Sequence, residues 1–350
     1  MQGIFYAITA AALFGISTPI AKLLVGDMPP LFLAGLLYIG SGVGLAGVLA
    51  LRGLYSTTSI VAWPKATEWR PLSGAIFLGG VLAPTLLMYG LRGTTASTAS
   101  LLLNMESVFT ALFAWFVFRE NFDRRIALGM ALIVIGGIAL SWTAGGSTHL
   151  SISTLLIAAA CLCWAADNNL TRIVSGSDAI AIACIKGLVA GSVNLLLAWM
   201  LHLTLPMHGT LIATTVAVGL LGYGVSLSLF VLALRHLGAA RTGAYFSIAP
   251  FVGASIAVLI QHEALTVQLV VAALSMAIGV WLHLTEHHTH EHTHRLLEHA
   301  HTHIHDDHHR HTHEPSWDSK EPHSHFHQHT ALLHRHSHYP DIHHQHKHDA

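Results

Sequence analysis

Apolar runs of about 20 residues recur along roughly the first 285 positions of this 350-residue chain. A helix needs about that length to cross a hydrocarbon core roughly 30 Å thick. A soluble domain of this size carries about a quarter charged residues. Here the share is 10%, and much of that sits in loops or in the last 65 positions. The first apolar run has no Lys or Arg before it and continues to Ile20 without a small-residue cleavage site, so it reads as a membrane helix and not as a cleaved leader. A net charge of -1 and the lack of a basic patch give nothing for nucleic acid to grip.

Breaks between the runs predict ten spans, at about 3–24, 30–51, 72–91, 95–118, 125–142, 151–173, 179–201, 210–234, 239–260 and 266–284. Connections are short except for 52–71, where Trp63, Pro64, Trp69 and Pro71 suit a segment lying along the headgroups. Trp115, Trp142, Trp199 and Trp281 fall near span ends, as interfacial aromatics do, whereas Trp164 is deeper and needs another reason. With the N-terminus in the cytoplasm, the inner loops collect Arg52, Lys65, Arg70, Arg119, Arg124, Arg125, Arg172 and Arg235, against Lys22 and Arg92 outside. That bias predicts both termini inside, in the plasma (inner) membrane. Cys161, Cys163 and Cys184 lie within apolar runs and read as small packing residues, not a disulfide framework.

The chain repeats itself. Leu91-Arg92 matches Leu234-Arg235, Glu120 matches Glu263, and Gly136 matches Gly279, all at one offset of 143. Phe14-Gly15 and Lys22 similarly echo Trp164-Ala165 and Arg172. Five spans per half is an odd number, so the two halves enter the membrane in opposite directions. Inverted repeats of this kind are a recurring plan of secondary transporters, with the site near the midplane where the repeats meet. Gly40 with Gly44, and Gly187 with Gly191, are spaced for close helix packing.

These pieces resemble a known family. Phe14-Gly15 through Lys22, Leu91-Arg92, Phe118-Arg119-Glu120 and Gly129 to Gly136-Gly137 in the first half, with Leu234-Arg235, Ala249-Pro250 and His262-Glu263 in the second, are similar to the drug/metabolite transporter superfamily, as a pair of EamA-like domains. The resemblance covers residues 1 to about 285. It implies an all-α integral membrane protein of about ten helices in two inverted five-helix repeats, 1–142 and 151–285. It also implies termini inside and movement of a small metabolite, often outward. Glu106-Ser107 stands where the second half has Ala249-Pro250, and the tail at 286–350 lies outside the pattern.

Ionisable groups within a bilayer are costly and mark pathways or pairs. Glu106 falls mid-span, Asp167 begins Asp167-Asn168-Asn169, and Lys186 lies in the seventh span. From the cytoplasmic ends, Asp167 and Lys186 are roughly 9 and 12 Å deep at 1.5 Å per residue. They are therefore expected to pair, as a structural bridge or as one that breaks and reforms during transport. Glu106 has no evident partner at its depth. A buried carboxyl of that kind disfavours ionisation and suits a group that takes up and releases a proton, or one hydrogen-bonded to neighbours such as Asn104. Asn168, Asn169 and Asn194 line a pathway or bond between helices. No nucleotide-binding loop, Ser-His-Asp set or H-E-x-x-H is present, so neither an ATP-driven pump nor an enzyme is expected.

The tail holds 24 of the 30 histidines. Its lack of apolar residues predicts disorder. His288, His290, His292, His294, His301, His303, His305, His308, His309, His311 and His313 offer imidazoles in His-x-His and related steps. Neutral imidazole is the commonest metal ligand, and the irregular spacing suits many weak, exchanging sites for zinc, nickel or cobalt. The expected function is a secondary transporter of a small metabolite, exporting and proton-coupled, with a metal-binding tail and no required cofactor. The alternatives are a divalent transition-metal transporter and a membrane-anchored metal sensor or store.

Overall fold

The computed structural model describes residues 2–55, 61–118, 124–141, 151–204, 208–285, 289–294, 297–303, 323–329 and 332–337. Contacts divide the chain into two units, one holding Met1–Glu286 and the other His287–Tyr339.

The first unit is helical. In order, the helices are α1 (Gln2–Asp27), α2 (Pro30–Tyr55), α3 (Trp69–Ala75), α4 (Ala83–Arg92), α5 (Ala96–Leu102), α6 (Met105–Phe118) and α7 (Arg124–Ser141). They continue with α8 (Ile152–Val174), α9 (Ala179–Met200), α10 (Gly209–Val218), α11 (Ser226–Phe246), α12 (Ala249–Ile260) and α13 (Val267–Leu284). Among the described residues seven helical runs are long and apolar enough to cross a membrane, and Val267–His283 is a shorter apolar helix. Large apolar side chains such as Phe5, Leu54, Phe116, Leu259 and Val267 are exposed, as lipid-facing side chains are. The chain is an integral, multi-pass membrane protein.

Two wide helical turns interrupt the regular geometry. Ile76–Leu82 joins α3 to α4 as a π-helix, and Gly219–Val225 joins α10 to α11 in the same way. The two segments are offset by 143 positions at both ends, since 219 − 76 and 225 − 82 are each 143. Single π turns of this kind are rare and concentrate at functional sites.

The expected continuous span over 95–118 is broken. Leu103 and Asn104 form a turn between α5 and α6. The cause is local. Asn104 Nδ2 donates to Leu101 O at 3.1 Å and Ser107 Oγ donates to Asn104 O at 2.7 Å, so side chains compete for the carbonyls that would continue the helix. The second half breaks within one residue of the matching place, at Ser247-Ile248, between α11 and α12. There Pro250, which has no N–H to give, sits in the first turn of α12. Glu106-Ser107 and Ala249-Pro250 thus serve the same geometry through different chemistry.

Small residues set the helix contacts. A Cβ on Gly187 or Gly191 would collide with the α2 backbone near Gly42 and Ile39, and one on Gly40 with Val216. Gly129 and Gly136 of α7 meet Gly279 and Ala272 of α13 in the same manner. Ser275 Oγ also donates to Leu132 O at 2.8 Å, joining two positions that are themselves 143 apart. Buried Cys161 and Cys184 donate to carbonyls of the helix breaks and of α2. In the 52–71 connection, Asp178 N donates to Ala62 O and Ser177 Oγ to Glu68, tying residues 61–68 to the α8–α9 turn.

In the second unit the described backbone runs as four strands, β1 (Thr289–His294), β2 (Leu297–His303), β3 (His323–His329) and β4 (Leu332–Ser337). β1 pairs with β4 and β2 with β3, both antiparallel. Alternating His-x-His has a period of two, which is the strand repeat.

Candidate functional site: a buried charge network beside an aromatic cavity

One face of α8 carries the site. Trp164, Asp167, Asn168 and Thr171 recur at the three- and four-residue steps that align side chains along a helix. Thr171 Oγ1 donates to Asp167 Oδ1 at 2.8 Å. Lys186 reaches across from α9 and donates to both Asp167 oxygens, at 2.7 and 2.8 Å, with Thr171 Oγ1 at 3.3 Å. Lys186 is 1% exposed and Asp167 4%. The expected pair therefore forms, and it forms fully buried. A buried pair is stable only when each group is also hydrogen-bonded, which Thr171 provides here.

The first π-helical segment closes the network from the other side. Gly79 passes so near Asp167 that any Cβ would collide with the carboxylate. The wide turn also frees carbonyls from the helix ladder. Gly79 O accepts from Tyr38 Oη at 2.6 Å and Trp164 Nε1 at 3.1 Å, and Gly80 O from Asn194 Nδ2 at 3.4 Å. This gives Trp164 its reason for lying deep, and gives Asn194 a structural role.

Glu106 sits in the first turn of α6, just past the break, where the exposed N–H groups of a helix start favour a carboxylate. Asn168 Nδ2 donates to its Oε1 at 2.6 Å. The expectation of no partner is corrected to that extent: the partner is a neutral amide from α8, and Asn104 bonds elsewhere. Asn169 turns back on its own helix, donating to Ala165 O at 2.9 Å. It is not among the residues around the cavity described next.

Glu106, Asp167, Asn168 and Lys186 border a cavity of about 480 Å³, counting the open space at its mouth. Aromatic rings make much of the rest. Phe14 stands edge-on to Trp164 and Tyr223, each at 5.7 Å, and 5.5 Å from Phe246. Tyr38 and Tyr223 lie 5.3 Å apart, and Phe230 lies 4.9 Å from Phe246. The walls therefore come from α1, α2 and α6 on one side of the sequence and α8, α9, α11 and the second π segment on the other.

Residues shared between the two halves of the repeat do other work. Lys22 Nζ donates to Leu91 O at 2.7 Å, at the end of α4. Arg235 donates to Ser175 O and Ser177 O, beyond the end of α8, at 3.0 and 2.6 Å. Cations are favourable at helix C-termini. Glu263 accepts from Ala96 N and Ser97 N at 2.7 and 2.9 Å, capping α5. Glu120, Arg119 and Trp142 lie outside the described residues, as do His288, His305, His308, His309, His311 and His313. His290, His292, His294, His301 and His303 fall in strands whose side chains are not described. Among the described residues no group of three or more His, Cys, Asp or Glu side chains is placed to hold a metal ion.

The chain is similar to an uncharacterized transporter of Methanothermobacter thermautotrophicus, 29% identical over 81% of this chain and 86% of that protein. It is also similar to a probable amino-acid metabolite efflux pump of Salmonella typhimurium, 28% identical over 47% of this chain and 51% of that one. A solved crystal structure superposes with a TM-score of 0.62 at 16% identity, over 81% of this chain and 95% of the other, which shows a shared fold. The family model for EamA-like transporters matches twice, over residues 1–142 and 151–285. The chain belongs to the EamA-like transporter family.

Proposed function

We propose that the protein is a secondary transporter that exports a small metabolite by alternating access of two inverted five-helix repeats, ten spans in all. The observation that carries this reading is the cavity. It is lined from both family-matched segments, lies beside the break that starts α6, and holds a buried ion pair and a carboxylate. Several features support a repeat with inverted halves: the two π segments 143 positions apart, the breaks at 103–104 and 247–248, which match to within one residue, and the Ser275–Leu132 contact between equivalent positions. Equivalent positions of two halves touch only near an axis relating them. Both termini are then cytoplasmic, in the plasma membrane, as the loop charges favour.

Glu106 is the group through which proton coupling would act. It faces Asn168, with Asp167, Lys186 and Cys161 nearby, and Lys186 is already committed to Asp167. The name of the Salmonella relative favours a small organic cargo and outward movement. The histidine-rich tail binds divalent metal at weak sites and buffers or regulates at the cytoplasmic face. Zinc and nickel are among the ions that imidazole suits, and cobalt is the third candidate.

Metabolite and metal profiling of cells with and without the protein tests this assignment. A changed pool of one organic metabolite is the expected result. A change confined to a divalent metal would make metal the cargo instead.

A further inference from the structure

The cavity's charge and walls narrow its cargo to a class, an inference that rests on the transporter assignment above. Three charged side chains border it: Glu106, Asp167 and Lys186. Lys186 gives its charge to Asp167, contacting both oxygens. With Asp167 paired, Glu106 is the carboxyl at the cavity without a counter-ion, and it carries the site's negative charge whenever its proton has left. Asn168 gives Glu106 a hydrogen bond but no compensating charge. Among the described residues around the cavity, no further ammonium or guanidinium is available to a bound anion.

The aromatic rings act in the same direction. Phe14, Trp164, Tyr223 and Phe246 cluster at ring separations of 5.5 to 5.7 Å about Phe14. Ring faces are negative and attract cations, most strongly where water is excluded. A ligand carboxylate would be repelled by ionised Glu106, whereas an ammonium group would be attracted, and the rings offer an apolar wall to the rest of the ligand.

We propose that the cavity binds organic cations, with an ammonium nitrogen on Glu106 and an apolar body against Phe14, Trp164, Tyr223 and Phe246. This choice disfavours zwitterions such as α-amino acids, whose carboxylate would lie near Glu106 in the same cavity.

Four probes with the same phenyl body isolate the charge: 2-phenylethylammonium, phenylalanine, 3-phenylpropionate and 2-phenylethanol. Their binding to the purified full-length protein in detergent is measured by equilibrium dialysis at mildly alkaline pH. The ammonium compound is expected to bind at least about tenfold more tightly than the other three, a difference of about 1.4 kcal/mol. Glu106→Gln, with its fold checked by thermal melting, should lose that preference and bind the ammonium compound no more tightly than 2-phenylethanol. Equal or tighter binding of phenylalanine or 3-phenylpropionate overturns the proposal, as does failure of all four to bind. The wild-type comparison decides the class even if the variant does not fold. Tight phenylalanine binding together with metabolite flux in vesicles would sink the cation class and keep the transporter. Absence of flux for any metabolite would sink the transporter assignment itself.

Discussion

Lys186 Nζ lies 2.7 and 2.8 Å from the two carboxylate oxygens of Asp167, in a bridge between α8 and α9 that is almost wholly shielded from solvent. Removing either partner leaves the other charge buried and uncompensated, at a cost of about 3–5 kcal/mol. Asp167→Asn and Lys186→Met should therefore each reduce folded yield and melting temperature, and the double variant should recover much of the loss. Additive losses across the double-mutant cycle would show that the pair is not energetically coupled.

Gly79 offers a test of the π segment. Gly79→Ala places a methyl group against the Asp167 carboxylate and must displace it from Lys186 or distort the turn. Overpacking of this kind costs about 1–3 kcal/mol. A methyl added at Gly47, in α2, would meet nothing within 4 Å, so Gly47→Ala should be neutral or stabilising. Thermal melting of both variants in detergent checks the contrast. An unchanged melting temperature for Gly79→Ala would mean that the turn is not packed as described.

Much of this was legible in the residues. Apolar run length gave the membrane class, and depth counted from span ends brought Asp167 to Lys186. The break after Asn104 was not legible, because hydrogen bonds from Asn104 and Ser107 to the backbone do the work that proline does at Pro250. The π turns were hidden too, since hydropathy is blind to a shift of one hydrogen bond in the ladder. The offset of 143 held a usable signal: it aligns Gly79 with Gly222, and both glycines lie where a neighbouring helix comes within van der Waals contact of the backbone. The aromatic wall was missed because Phe14, Tyr38, Tyr223, Phe230 and Phe246 are far apart in sequence and ordinary for a membrane helix. Glu106's partner was missed because Asn168 belongs to the other half.

Topology is tested with reporters. Fusions at the C-terminus and in the 143–150 loop should report opposite sides of the membrane, with the C-terminus in the cytoplasm. A shared side would show that the span count is not ten.

The tail is tested by a truncation ending at Glu286. The full-length protein should bind several divalent ions at micromolar or weaker affinity, because ordering a chain to present more than two imidazoles opposes each site. Only neutral imidazole binds metal, so affinity should fall as pH drops below about 6.5. The truncated protein should lose this binding and keep metabolite transport. Unchanged metal tolerance and transport across low and high metal would make the tail's chemistry incidental.

The most direct test of the account as a whole is uptake into inside-out membrane vesicles. The vesicles are energised with an inward-acid pH gradient and offered the small-molecule fraction of a cell extract, and the accumulated compounds are read by mass spectrometry. Wild-type protein should concentrate at least one organic compound above empty vesicles. Glu106→Gln, which preserves shape and can still accept from Asn168, should abolish that accumulation at equal protein levels. Accumulation by the variant equal to wild type would contradict the role given to Glu106. No accumulation of any organic compound by the wild type would contradict transport through this cavity.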